Sequence, residues 1–397
     1  MKQRAGAGTG NGMPRLGQGL EIDATKDSGV RRAGPMAPVA SRIDASRPRF
    51  DAGAWQASAP VPTYAALDLG TNNCRLLIAR PAQREAAAGS FKIVDSFSRI
   101  VRLGEGLSQS GRLSEAAIER TLDALAVCKD KMQARNVTRA RLIATEACRA
   151  AQNGAAFVAK VRKALGLDLE IVDRETEAHL AATGCASLAD ASAESVLLFD
   201  IGGGSSEVIW LEREDSMRAA GLDTSLRERI RFWVSLKLGV VTLAEKFGGI
   251  EVSDHVFESM VECVTGELDG FIARAAGLGR CGRFHLLGTS GTVTTVAGIF
   301  LNLSRYDRRR VDGLWMSDED VSRTVERLRR MSYRERVANG CIGPERADLV
   351  LAGCAILEAI RRAFPAERVR IADRGLREGM LLQLMHADRA QGRTGFR

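Results

Sequence analysis

The sequence predicts an α/β protein built from two copies of one unit that face each other across a cleft, and two stretches carry that reading. In Val196-Leu-Leu-Phe-Asp200-Ile-Gly202-Gly203-Gly204-Ser205-Ser206-Glu207 an apolar run leads through an aspartate into glycines and serines. A run of this length bounded by glycines suits a buried strand, and the glycines let phosphate oxygens approach the turn's amides. Tyr64-Ala-Ala-Leu-Asp68-Leu-Gly70-Thr71-Asn72-Asn73-Cys74-Arg75-Leu76-Leu77-Ile78 repeats the order. With Asp68 set on Asp200 the two align, each as a pair of antiparallel strands joined by a tight polar turn. One such loop is most often a plain hairpin turn, but two with aspartates at matching places point to a duplicated phosphate-binding unit.

The elements follow in order. Residues 1–60 are rich in Gly, Ala, Pro, Ser and Arg without periodicity and read as a disordered tail. The first domain, 61–190, opens with the Tyr64 hairpin and a strand from Phe91 to Arg102. Ser114 reads as the N-cap of a helix whose Ile118, Leu122, Leu125 and Met132 share a face. A buried strand, Arg141–Thr145, delivers Glu146 to its end, where open α/β sheets place their ligands. A helix over 155–165, a strand Leu169–Asp173 and a helix Glu175–Leu188 carrying Glu177 follow, and Asp190–Ser195 reads as a linker.

The second domain, 191–387, begins with the Asp200 hairpin, and the charged stretch Arg213–Arg231 reads as a hairpin with an enlarged tip. Then come Val241–Phe247, a helix over 254–276, and a strand Phe284–Leu287 leading to Gly288-Thr289-Ser290-Gly291, which opens the helix Val293–Leu303. Helices near 318–331 and 345–363, a strand Val369–Ala372 and a last helix from Leu376, expected to pack on the first domain, complete the chain, with 388–397 expected to be flexible.

Composition bounds the function. The 397 residues are 45% hydrophobic and 27% charged, enough for two ordinary cores. No run approaches the roughly 18 apolar residues that span a bilayer, and no apolar signal core opens the chain, so no membrane partner is expected. Eight scattered cysteines without a paired spacing read as reduced residues of a cytoplasmic protein, and four separated histidines argue against a histidine metal site. The net charge of +8 suits an anionic partner, but aromatics are only 5% of residues, which disfavours nucleic acid bound by stacking.

Asp68-Leu-Gly-Thr-Asn and Asp200-Ile-Gly-Gly-Gly-Ser resemble the two phosphate motifs of the actin, Hsp70 and sugar kinase fold. Arg102-Leu-Gly104-Glu-Gly106-Leu107, Ala144-Thr-Glu146-Ala-Cys-Arg149, Leu287-Gly288-Thr289-Ser290-Gly291-Thr292 and Asp373-Arg-Gly375-Leu-Arg377-Glu-Gly379 narrow the resemblance to the exopolyphosphatase and guanosine pentaphosphate phosphatase family. The resemblance covers about 64–385. It implies two ribonuclease-H-like (actin-like ATPase) domains with an interdomain cleft, in a short form without the C-terminal extension of longer members. It also puts the catalytic glutamate at Glu146 and a second at Glu177. That second motif departs from the family pattern, with Arg174 in place of a glycine and Thr176 in place of a glutamate.

The chemistry expected is release of terminal phosphate from polyphosphate or guanosine pentaphosphate, with Glu146 orienting or deprotonating water. Gly70, Thr71, Asn72 and Gly202, Gly203, Gly204 and Ser205 would cradle phosphate. Asp68 and Asp200 would bind Mg²⁺ or another divalent cation, because hard cations favour oxygen ligands. Arg102 and Arg149 are candidates for bridging phosphates. Arg75 reads as a structural pair, and Asp373 and Glu378 as a charged cap with a catalytic role as the alternative. Gly288, Thr289, Ser290 and Gly291 complete the expected phosphate-binding set, and in the wider fold this turn stands where a nucleotide's adenosine would lie. A kinase of the same fold and a guanosine tetraphosphate sensor are the rival readings, and a homodimer is allowed.

Overall fold

A computed structural model describes residues 61–82, 91–212, 229–277 and 283–391. The expected tail over 1–60, the tip of the hairpin expected after Arg213 and the last six residues lie outside these. Both sheets belong to one compact unit, residues 58–397.

The duplication is written in the strand order. The first sheet runs β3-β2-β1-β4-β5, from Tyr64–Leu69 (β1), Asn73–Pro81 (β2), Phe91–Ile100 (β3), Arg139–Ala144 (β4) and Glu170–Ile171 (β5). The second comprises Ser195–Ile201 (β6), Ser206–Glu212 (β7), Ile230–Leu236 (β8), Phe284–Thr289 (β9), Trp315–Ser317 (β10) and Arg368–Ala372 (β11). Its order, β8-β7-β6-β9-β11, repeats the first with β10 added at the edge. In both, a β-hairpin is followed by a parallel crossover: β1 pairs antiparallel with β2 and parallel with β4, β6 antiparallel with β7 and parallel with β9. The central strands are buried on both faces, as continuous apolar runs require.

Each sheet packs its outer face on its own helices. Helix Glu115–Ala134, capped by the Ser114 hydroxyl accepting from the Ala117 amide, covers the first sheet. Helices Asp254–Ala276 and Val350–Ala363 cover the second. The inner faces share a third core, where Tyr64, Ala66 and Leu77 of one sheet and Val196, Leu198 and Ile209 of the other enclose helices Arg174–Cys185 and Leu376–Ala390. These helices cross closely: a Cβ on Gly184 would lie 2.0 Å from the Gly375 carbonyl oxygen, and one on Gly379 2.1 Å from that of Leu180.

The differences from expectation have local causes. The strand expected over Leu169–Asp173 shrinks to Glu170–Ile171, an exposed edge that pairs only with Ile143 and Ala144. The helix expected from 345 starts at Val350 after a run of turns. Strand β10 and helix Tyr333–Ala338 are too short to leave a periodic signal. Asp388, where a flexible end was expected, is buried inside the last helix. It accepts the Tyr64 hydroxyl at 2.8 Å and pairs with Arg139, tying that helix to the first sheet.

Candidate active site

The two loops close with the same bond. The Gly70 amide donates to the Asn73 carbonyl and the Gly202 amide to the Ser205 carbonyl, each at 2.9 Å. The segment after β3 braces the first loop: the amides of Val101 and Arg102 donate to the Asn72 carbonyl, and that of Gly104 to the Thr71 carbonyl. The carbonyls of Gly202 and Gly203 accept from Val240 and Val241 at the start of helix Val240–Phe247. The loops then meet. A Cβ on Gly204 would lie 2.6 Å from Thr71 Oγ1 and 3.2 Å from Glu146 Cγ, so the absence of a side chain sets how closely the cleft closes.

Between them is a cavity of about 120 Å³ lined by Gly70, Thr71, Asn72, Gly202, Gly203, Gly204 and Ser205 with Asp68, Glu146, Glu177, Asp200 and Glu207. Burial is the first cause that raises Asp68, Glu177, Asp200 and Glu207. Asp68 is raised by its depth in the cleft against the pull of Arg75 and Arg377. Asp200 is pushed up to about 6 by burial, with Asp68 adding to the shift and Arg75 opposing it. Glu177 is raised by burial and then by Glu207, and Glu207 by burial and then by Asp200, although the Ser235 hydroxyl donates to its Oε1 at 2.9 Å. The Asn72 Oδ1 is buried without a partner among the described residues. A pocket that crowds acids and leaves an amide oxygen unpaired suits a cation and a polar guest.

Glu146 opens the short helix Glu146–Ala150 at the end of β4 and is 9% exposed. Arg149 was expected at bridging phosphates, but it sits behind the glutamates. Its Nε and Nη2 donate to Glu146 Oε2 at 3.0 and 2.5 Å, Nη2 also to Glu177 Oε2 at 3.1 Å, and Nη1 to the Val172 carbonyl at 2.6 Å. Arg174 Nη2 reaches both Glu146 oxygens, at 2.9 and 3.0 Å. Arg102, the other expected phosphate contact, turns away from the cavity to pair with Asp348 at 2.9 Å, so its motif serves the first loop through backbone bonds.

The cavity continues into a larger one of about 730 Å³ that shares Asp68, Arg75, Asp200, Ser290, Gly291 and Arg346. The side chain of Arg75, expected as a structural pair, makes no hydrogen bond or ion pair among the described residues, nor do those of Arg346 and Arg377, and all three line this space. Of the Gly288–Gly291 turn, Ser290 and Gly291 line both cavities, while Thr289 borders the larger one and donates to the Arg374 carbonyl at 2.6 Å. Gly288 lines neither. A Cβ there would lie 2.6 Å from the Phe199 ring, so this glycine makes room for the core. Glu378 caps the last helix through the Gly375 amide at 2.9 Å and pairs with Arg308, which also pairs with Asp373. Among the described residues no three His, Cys, Asp or Glu side chains lie close enough to hold one metal ion, and no helix is long and apolar enough to cross a membrane.

Glu207 carried no role in the sequence reading, yet the alignment of Asp68 on Asp200 also sets Arg75 on Glu207. The structure realises this, with Arg75 opposite Asp68 and Glu207 opposite Asp200.

Residues 83–388 match the model of the Ppx/GppA phosphatase family. The guanosine-5'-triphosphate,3'-diphosphate pyrophosphatase of Photobacterium profundum is 30% identical over 334 residues, 82% of this chain and 59% of that protein. Exopolyphosphatase 2 of Mycobacterium tuberculosis is 28% identical over 331 residues, 81% of this chain and 98% of that one. The crystal structure of the Aquifex aeolicus member of the Ppx/GppA family superposes with a TM-score of 0.65 at 26% identity, over 83% of this chain and 99% of that one. The chain thus spans less than two thirds of the length of the first of these relatives.

Proposed function

The chain belongs to the Ppx/GppA phosphatase family, and from that premise we propose that it is a phosphohydrolase releasing terminal phosphate from inorganic polyphosphate or guanosine pentaphosphate. Its fold is the two-lobed, actin-like α/β architecture of that family. The observation that carries the reading is Glu146 in the wall of a cavity closed by two phosphate-type loops and continuous with three arginines that lack hydrogen-bond partners among the described residues. The loop amides and the hydroxyls of Thr71 and Ser205 hold the terminal phosphoryl group. Arg75, Arg346 and Arg377 neutralise the rest of the polyanion, as forked guanidiniums do for phosphate oxygens. Glu146, its carboxylate oriented by Arg149, directs water in line with the leaving oxygen, and catalysis comes from positioning and charge.

A divalent cation such as Mg²⁺ would be held by Asp68 and Asp200 and would supply charge neutralisation at the phosphate oxygens. The donor set fits. Mg²⁺ takes one or two carboxylates and completes its shell with water and substrate phosphate, so it needs no cluster of three protein ligands. Burial raises both aspartates because a bare carboxylate is disfavoured there, and a cation would relieve that cost as a proton does. The test is phosphate release from polyphosphate and guanosine pentaphosphate in parallel, with and without chelator, by the wild type and Glu146→Gln. No release by the wild type from either substrate would overturn the reading.

A further inference from the structure

The two phosphate loops approach closely without bonding. A Cβ on Gly203 would lie 3.1 Å from the Asn72 amide nitrogen and one on Gly204 2.6 Å from Thr71 Oγ1, yet no hydrogen bond joins one loop to the other among the described residues. Contact of this kind limits how far the loops close but does little to stop them parting, since dispersion between a few atoms is weak. Their spacing is set by the elements that brace them.

Those elements are bonded to each other. The segment after β3 donates its Val101, Arg102 and Gly104 amides to the carbonyls of Asn72 and Thr71 in the first loop. Helix Val240–Phe247 donates its Val240 and Val241 amides to the carbonyls of Gly202 and Gly203 in the second, and Leu243 anchors it in the second sheet's core. Glu245 of that helix joins the two: its Oε1 accepts the Gly106 amide at 2.9 Å and its Oε2 the Ser108 hydroxyl. The carboxylate stands in the last turn, where the helix dipole disfavours an acid, so the helix itself does not require it. Arg102 also bonds from the same segment, to Asp348 and the Glu345 carbonyl, but these stand in the turns before helix Val350–Ala363 and not on the helix that braces the second loop. We propose that Glu245 is a positioning residue that fixes the spacing of the two phosphate loops by clasping the segment that braces one to the helix that braces the other. A phosphoryl group held between the loops needs donors from both at once, so losing the clasp weakens the hold on phosphate.

The proposal rests on the reading of the two loops as the phosphate cradle, and its test separates the two. Glu245→Ala, Glu245→Gln and Ser108→Ala are compared with the wild type for KM on whichever of the two substrates it hydrolyses, and for calorimetric binding of methylenediphosphonate, a non-hydrolysable diphosphate analogue. Glu245→Ala should raise KM and weaken the analogue by about tenfold, and Ser108→Ala, which keeps the Gly106 bond, by about threefold. Glu245→Gln should stay within about twofold of the wild type, because its side-chain carbonyl accepts the Gly106 amide and the Ser108 hydroxyl accepts from its amide group. A merely structural role would not give this pattern: a smaller folded fraction lowers the apparent kcat and leaves KM where it was. Unchanged KM and analogue affinity in Glu245→Ala, or an equal loss in Glu245→Gln, overturns the proposal. Should Glu245→Ala melt early, Ser108→Ala, at an exposed position, carries the same test. A wild type that hydrolyses neither substrate sinks the reading of the loops, whereas an active wild type with indifferent Glu245 variants sinks only the clasp.

Discussion

Arg75 and Glu207 occupy the same place in two copies of one hairpin, each directly across from the aspartate that ends the first strand, Asp68 in one copy and Asp200 in the other. The duplicated unit has thus set a cation in one half of the cleft and an acid in the other. Arg75 draws the titration of both aspartates down, whereas Glu207 is itself raised.

Glu207→Gln should stabilise the protein in a pH-dependent way. Its carboxyl binds a proton more tightly folded than unfolded, because of burial and then Asp200. Such a group favours the folded state at low pH and costs stability as pH rises from the ordinary glutamate value toward the folded one. Thermal melts in chelator should therefore coincide near pH 4 and separate by pH 8, with the variant more stable by roughly 1–3 kcal/mol. A larger advantage at low pH than at high pH would contradict this account.

Glu146→Gln keeps the size and most hydrogen bonding of the side chain and removes its basicity. We expect kcat to fall about a hundredfold or more with KM changed much less, measured as phosphate release from polyphosphate. Near-normal turnover would transfer the role to Glu177, the neighbouring carboxylate on Arg149.

Asp200→Asn should raise the magnesium concentration needed for half-maximal activity, and excess magnesium should recover part of the rate. The same excess should do nothing for Glu146→Gln. Rescue of both variants, or of neither, would separate Asp200 from metal binding.

Arg102→Ala should leave KM for polyphosphate near the wild-type value, because Arg102 faces Asp348 and not the cavity. The lost pair is partly exposed and should cost about 1 kcal/mol or less. A tenfold rise in KM would show that Arg102 reaches substrate after all.

Asp388→Ala should lower stability by about 1–3 kcal/mol in denaturant titrations. It strips Arg139 and the buried Tyr64 hydroxyl of their shared partner at the joint between the last helix and β1. An unchanged midpoint would mean that this joint contributes nothing.

The chain order of apolar runs, aspartates and glycines was enough to place the two hairpins and the end of β4, because strands and tight turns are specified by residues next to one another. Sequence alone thus determined the duplicated α/β plan and most of the loop residues that line the smaller cavity. Tertiary structure decided where the arginines go. Arg102 and Arg149 carry the same motif signal as a phosphate ligand would, yet each is claimed by a carboxylate: Arg102 by Asp348, 246 positions along the chain, and Arg149 by Glu146 and Glu177. Arg75 and Arg377 lie within the quoted motifs and Arg346 in none of them, and all three line the larger cavity. A guanidinium on a long flexible stem pairs with whichever anion the fold brings within reach, and that choice is made by contacts between distant segments. The same holds for Gly288, whose missing side chain serves the Phe199 ring from the neighbouring strand, and for Asp388, whose partner Tyr64 lies 324 positions away along the chain.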